Sequence, residues 1–232
     1  MTPVLLKARS RELIRANVPK LFLVGLVYII ITTFISELQF RLPAPINIYR
    51  DFFQTGEMTP DQFLGSIRTS GIILAFLLGI MLPSVSIGYK SYCLKIVRKS
   101  DGDFADLLNG FSMFIKVIGI SLVTTIIIAF WSLLLIFPGV IAFYKYRQAY
   151  YILLDDPTKG VFHCIFESGH LMYGKKVDLF LIDISFIGWY FLNVLVLSFV
   201  IPVFPIVSIW LTPYYGLTQA AYYDHIVKEV SV

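Results

Sequence analysis

Three charges stand where a helix in an apolar setting tolerates them least: Lys145, Arg147 and Asp183. Arg147 lies eight residues before Asp155 and Asp183 seven after Lys176, which in helices places them about 12 Å and about 10 Å inside the apolar stretches those residues bound. An unpaired charge at such depth costs several kcal/mol, so two opposite charges at matching depth are expected to pair across neighbouring helices. The pair admits two uses. It can fix the register of the helices, or it can form a site for a substrate or a proton. Lys145 lies half a turn deeper and is expected either to snorkel or to line a watery cavity with Tyr144, Tyr146 and Gln148.

Other groups carry weaker signals. His163, Glu167 and His170 recur at i, i+4 and i+7 and could in principle ligate one metal from a helical face, but solvated residues on an amphipathic helix give the same spacing, and no metal is assigned. Pro213, after Thr212, is expected to free a backbone carbonyl, as either a transport-site device or a plain kink. Most of the fourteen tyrosines sit near the ends of apolar runs, where an aromatic belt belongs; Tyr214, Tyr215, Tyr222 and Tyr223 are read as belt or packing. No nucleophile elbow, phosphate loop, metalloprotease helix or nucleotide fingerprint is present, so no catalytic residue and no cofactor is assigned, and an ATP-driven pump on this chain alone is excluded.

The elements that must hold these residues are apolar. Of 232 residues 57% are hydrophobic and only 15% charged, with a mean hydropathy of +0.77, more than one globular core can hide. The expected fold is an all-α polytopic membrane bundle forming one domain over residues 1–232. Its six transmembrane helices cover about 20–36, 70–90, 114–137, 139–155, 177–200 and 203–223. Breaks are expected at Pro138-Gly139 and at Pro202 and Pro205, and a kink at Pro83. Amphipathic interfacial helices are expected over 3–17, 103–113 and 157–173, resting on anionic headgroups of the inner leaflet. The long segment 37–70 is expected outside, with a short helix from Pro60 whose Phe63, Leu64 and Ile67, with Phe52 and Phe53, rest on the membrane or close over a pocket.

Orientation follows from the cations. Lys7, Arg9, Arg11, Arg15, Lys20, Lys90, Lys95, Arg98, Lys99, Lys116, Lys159, Lys175, Lys176 and Lys228 fall on one side, and only Arg41, Arg50 and Arg68 on the other. Fourteen against three places both termini in the cytoplasm. The net charge of +4 therefore reads as topology, not as nucleic-acid binding. The first span is read as a retained signal anchor, and Cys93 and Cys164 as reduced thiols.

Three times the order of amphipathic helix, basic residue (Lys20, Lys116, Lys176), outgoing span and returning span recurs. The last two copies share Trp131 and Trp189 and similar returns, Gln148–Tyr151 and Gln219–Tyr223. Either three parallel repeats or chance likeness among apolar segments explains this.

The run from Gly110 to Tyr223 resembles the bacterial integral-membrane domain-of-unknown-function 975 family. The resemblance is carried by Trp131, Pro138-Gly139, Asp155-Asp156-Pro157, Ser168, Met172, Gly174, Phe180-Leu181, Ser185-Phe186, Trp189 and Thr212-Pro213-Tyr214. It implies a multi-pass protein of the bacterial plasma membrane with no assigned reaction; Lys145 and Arg147 depart from the smaller residues expected at their positions. The leading functional expectation is a small transporter-like or permease-like unit. The alternatives are a non-catalytic membrane partner of another protein or of a second copy, and a lipid-handling enzyme drawing on His163, Glu167, Asp155 and Asp156.

Overall fold

Long apolar runs can satisfy their own backbone polar groups as helices, and helices are what form. The computed structural model describes residues 3–42, 69–199 and 206–230, and every element among them is helical. In chain order these are α1 (Pro3–Ala16), α2 (Lys20–Arg41), α3 (Thr69–Val97), a 3₁₀ turn (Phe104–Leu108) leading into α4 (Asn109–Ser112), α5 (Phe114–Leu134), α6 (Ile136–Tyr146), α7 (Ala149–Asp155), α8 (Val161–Leu171), α9 (Lys176–Phe199) and α10 (Ile206–Val230). The helix expected from Pro60 and the turn expected at Pro202 and Pro205 lie outside the described residues.

Four helices among the described residues are long and apolar enough to cross a membrane: α2, α3, α5 and α9 over Lys176–Leu195. The run read as one span over 139–155 is instead two helices of 11 and 7 residues, interrupted at Arg147 and Gln148. Both residues keep right-handed dihedrals, so the interruption loosens the helix without reversing it. The break read at Pro138-Gly139 falls earlier, at the extended Leu135. Pro138 then enters the first turn of α6, where its missing N–H is not needed. Gly139 allows the hairpin to close, because a Cβ there would fall on Ser132. Pro213 stands inside an uninterrupted α10 rather than at a break. Its Cγ comes within 3.1 Å of where a Cβ on Gly25 would sit, so α2 approaches it only through a glycine.

The chain divides into two compact units, residues 1–29 with 84–232, and residues 30–83. In the second, Gln39 Nε2 donates to the Ala75 carbonyl at 3.0 Å and Arg41 pairs with Glu37. The first unit carries everything described from here on.

Its α1 packs mainly on α10. Leu6, Ser10 and Ile14, one turn apart, are buried; Ser10 Oγ meets Thr218 Oγ1 at 3.2 Å, and Lys7 Nζ donates to the Ser185 carbonyl at 2.9 Å. The apolar residues Val4, Leu5, Ala8, Leu13 and Ile14, expected on the inner leaflet, thus divide: Ile14 is buried against protein, Ala8 and Leu13 are half-buried, and Val4 and Leu5 stay exposed. The stripe read on α8 also divides. Ile165 and Met172 turn inward with Cys164 and Ser168, whereas Phe162 and Phe166 face outward. Gly174, with φ of +74°, stops the chain after α8 in the left-handed region that glycine favours.

The segment read as an interfacial helix over 103–113 is the 3₁₀ turn and α4, fastened to α3. Asp106, 4% exposed, accepts from Lys95, from Asn109 and from the Asp103 backbone N–H. Here backbone meets backbone: a Cβ on Gly88 would overlap the Leu107 carbonyl, and one on Gly110 the Ser84 carbonyl.

One guanidinium gathers three helices. Arg98, just past α3, donates two hydrogen bonds to Asp155 at the end of α7, at 2.7 and 3.0 Å, and one to Asp224 of α10 at 3.3 Å. Tyr223 donates to the same Asp155 at 2.7 Å and stacks on Tyr151, ring centres 4.9 Å apart. Arg98→Ala is expected to lower unfolding stability by about 1–2 kcal/mol, and Arg98→Lys to recover little of it, because an ammonium cannot reproduce the bidentate fork. Thermal unfolding of the purified protein in detergent reads this; equal midpoints for Arg98→Ala and wild type would remove the node from the account.

Asp224, beyond the span read over 203–223, also accepts from Lys228 at 2.9 Å. Burial alone would raise its pKa, but the bonds from Lys228 and Arg98 outweigh burial and hold it below the ordinary 3.8. A depressed carboxyl contributes stability that is complete above its unfolded value and lost as pH falls through the folded one. The unfolding midpoint of wild type is therefore expected to drop below pH 3.8 by more than that of Asp224→Asn, and parallel curves for the two would sink the assignment.

Candidate functional site

Arg147 sits at the interruption between α6 and α7, and from there its fork crosses to two helices. It bonds Asp183 in the second turn of α9 and the hydroxyl of Tyr215 on α10. Asp183 is fully engaged. Besides Arg147, its oxygens accept from Tyr144 at 3.0 Å, Tyr215 at 3.0 Å and Gln219 at 2.9 Å. Tyr215 and Gln219 stand at i and i+4, so one face of α10 supplies both donors. The rings of Phe143, Tyr144 and Tyr215 lie 5.2–5.9 Å from the guanidinium carbon, within cation–π range. A carboxylate holding four donors is a fixed anion, poorly placed to act as a base, and the cluster reads as a charge pair held in defined geometry.

Lys145 does not join it. Residues two apart on a helix point away from one another, and Lys145 runs instead along α8, its Cε 2.9 Å from where a Cβ on Gly169 would be, with Nζ 5.1 Å from the Tyr146 ring centre. Gln148, expected beside it, is buried, with its side-chain carbonyl lacking a partner. On α8, Glu167 takes Lys159 at 2.7 Å and His163 at 3.4 Å. Among the described residues no three histidine, cysteine or acidic side chains converge as a metal site would require.

Beside the Arg147 cluster a cavity of about 380 Å³ opens between α2, α3, α7, α9 and α10. Arg147, Tyr215 and Gln219 line it on one side; Tyr28, Tyr89 and Lys90 line it on another. Tyr28 and Tyr89 stack with ring centres 4.3 Å apart, and Lys90 Nζ lies 4.5 Å from the Tyr150 ring centre and 5.6 Å from that of Tyr151. Among the described residues neither a carboxylate nor a hydrogen-bond acceptor reaches Lys90. The sequence alone reads Lys90 as an orientation charge and Tyr215 as belt or packing. A cation in the last turns of an apolar run gives no signal to separate those roles, although the Tyr215 and Gln219 spacing marked a common face.

This segment has relatives. Residues 133–230 match the family model described as Protein of unknown function (DUF975). The motifs from Pro138-Gly139 to Thr212-Pro213-Tyr214, with Arg147, Asp183, Tyr215 and Gln219, fall inside the DUF975 match, while Trp131 and the cavity residues Tyr28, Tyr89 and Lys90 fall outside it. No curated protein and no solved structure matches the chain significantly.

Proposed function

We propose that the protein is a small transporter-like unit of a bacterial plasma membrane, with the cavity beside Arg147 as its solute site. The single observation that supports this is a cavity inside the helical unit with the ion-paired Arg147 in its wall. A membrane scaffold would be expected to fill its core, and about 380 Å³ falls within the range of small-molecule sites, roughly 300–1,000 Å³. In this reading α10 and the broken α6–α7 pair add two crossings to the four apolar helices, both termini lie in the cytoplasm, and the outward Phe162 and Phe166 of α8 meet the inner leaflet with its anionic headgroups. The tip of the α5–α6 hairpin, Leu133 to Phe137, is apolar and largely exposed, as lipid contact requires.

The test is water access. A Ser208→Cys variant, carrying a thiol on the cavity wall, is expected to react with a membrane-impermeant maleimide from at least one side of oriented vesicles, while the buried Cys93 and Cys164 stay unlabelled. Complete protection of position 208 from both sides would mean a sealed core and would turn the assignment to a membrane partner of another protein.

A further inference from the structure

Resting on the cavity reading above, we infer that the cavity recognises an organic anion, a single carboxylate or phosphate carried on an apolar body, and that Lys90 is the residue that binds its charge. The cavity wall has two cations, Lys90 and Arg147. The second is neutralised: Asp183 lies behind it, and both Asp183 oxygens are filled by Arg147, Tyr144, Tyr215 and Gln219. Lys90 has no such partner. The rings of Tyr150 and Tyr151 favour its protonated form without supplying a counter-charge, so the wall holds one basic amine with no anionic partner in a part-buried setting, where an unpaired cation is costly. An anion entering the cavity supplies the missing counter-charge to Lys90 and can also take guanidinium N–H groups of Arg147 left over after its bonds to Asp183 and Tyr215.

The rest of the lining describes the ligand's other half. Tyr28, Tyr89, Tyr151, Tyr190 and Tyr215 line it with aromatic surface, and Leu211 adds aliphatic surface. A bare inorganic ion would leave those faces without contacts. A body of a few carbons, aliphatic or aromatic, covers them. The same chemistry is presented by a free organic acid and by the phosphate end of an anionic lipid, so the source of the anion is itself an outcome of the test.

The experiment uses full-length Ser208→Cys protein in phosphatidylcholine nanodiscs and follows maleimide labelling with benzoate or its neutral isostere benzamide present. Benzoate is expected to slow labelling and benzamide to leave it unchanged. Lys90→Met is expected to raise the benzoate concentration needed by about tenfold or more, with Lys90→Arg retaining protection. Because Lys90→Met removes a part-buried amine with no ionic partner, it is expected to unfold no earlier than wild type; Lys90→Gln provides a second neutral variant. Protection that appears instead on adding phosphatidylglycerol, and depends on Lys90 in the same way, keeps the anion site and assigns it to a lipid headgroup. Equal protection by benzamide, or benzoate protection indifferent to Lys90, overturns the anion site while the labelling itself leaves the hydrated cavity standing. No labelling at position 208 overturns the cavity and the anion site with it.

Discussion

Asp183→Ala is expected to destabilise the protein by about 3 kcal/mol, the lower end for removing one partner of a buried ion pair, since this pair is part-buried. The mutation deletes the only carboxylate that reaches Arg147 among the described residues, where its side chain is 18% exposed, and leaves its guanidinium, among those residues, with the Tyr215 hydroxyl as its hydrogen-bond partner. Tyr144 and Gln219 lose their shared acceptor in the same step. The cost therefore comes from what is stranded more than from the bond removed. That reasoning makes a second claim about the double variant: replacing both charges, as in Arg147→Met with Asp183→Leu, is expected to recover most of the loss, since well-packed apolar side chains can substitute for a buried pair at little net cost. Thermal unfolding in detergent micelles of the two single variants and the double measures the coupling. If Asp183→Ala unfolds at the wild-type midpoint, the pair is not a determinant of the fold. If the double is no better than the singles, stranding is the wrong explanation.

Gly110→Ala should cost about 3 kcal/mol, at the upper end for overpacking, and Gly88→Ala a similar amount. Overpacking is usually relieved by a side chain changing rotamer, but the atoms in the way here are the carbonyls of Ser84 and Leu107. Backbone in a helix or a 3₁₀ turn can move only if the whole segment lifts. That segment is pinned by Asp106 to Lys95 and by Asn109 to Ser91. Gly188→Ala is the contrasting control, since a Cβ there meets nothing within 4 Å and is expected to be neutral or mildly stabilising in a helix. Unfolding midpoints that fail to separate Gly110 from Gly188 would show that the contact is looser than drawn.

The sequence made some of this legible and hid the rest for identifiable reasons. Apolar runs announced α2, α3, α5 and α9 because length and composition suffice for them. Depth below the flanking charges was enough to join Arg147 to Asp183. The interruption at Arg147 and Gln148 was not visible, since neither residue is a helix breaker and what the site shows there is a guanidinium tied sideways to α9 and α10. The apolar faces of α1 and α8 divide between protein and the outside for a common reason. An amphipathic stripe states that one face will be covered, not whether lipid or protein covers it, and the Ser10 within the stripe of α1, buried against Thr218, was the clue for protein. Lys90 was invisible as a cavity residue because its neighbours, Tyr150 and Tyr151, come from another helix.

The Arg98 node bears on how this protein can be divided and inherited. The matched DUF975 segment, residues 133–230, contains Asp155, Asp224 and Tyr223 but not the guanidinium that joins them. The segment is thus not a self-sufficient module. Cut free at residue 133, it would leave Asp155 without its cation and its cavity without the wall formed by Tyr28, Tyr89 and Lys90. Any descendant that loses Arg98 leaves Asp155 without a cation while Asp224 keeps Lys228 and Arg9, so substitutions at 98 and 155 are expected to travel together through the lineage, even though only the second of the two belongs to the segment by which the relatives are recognised.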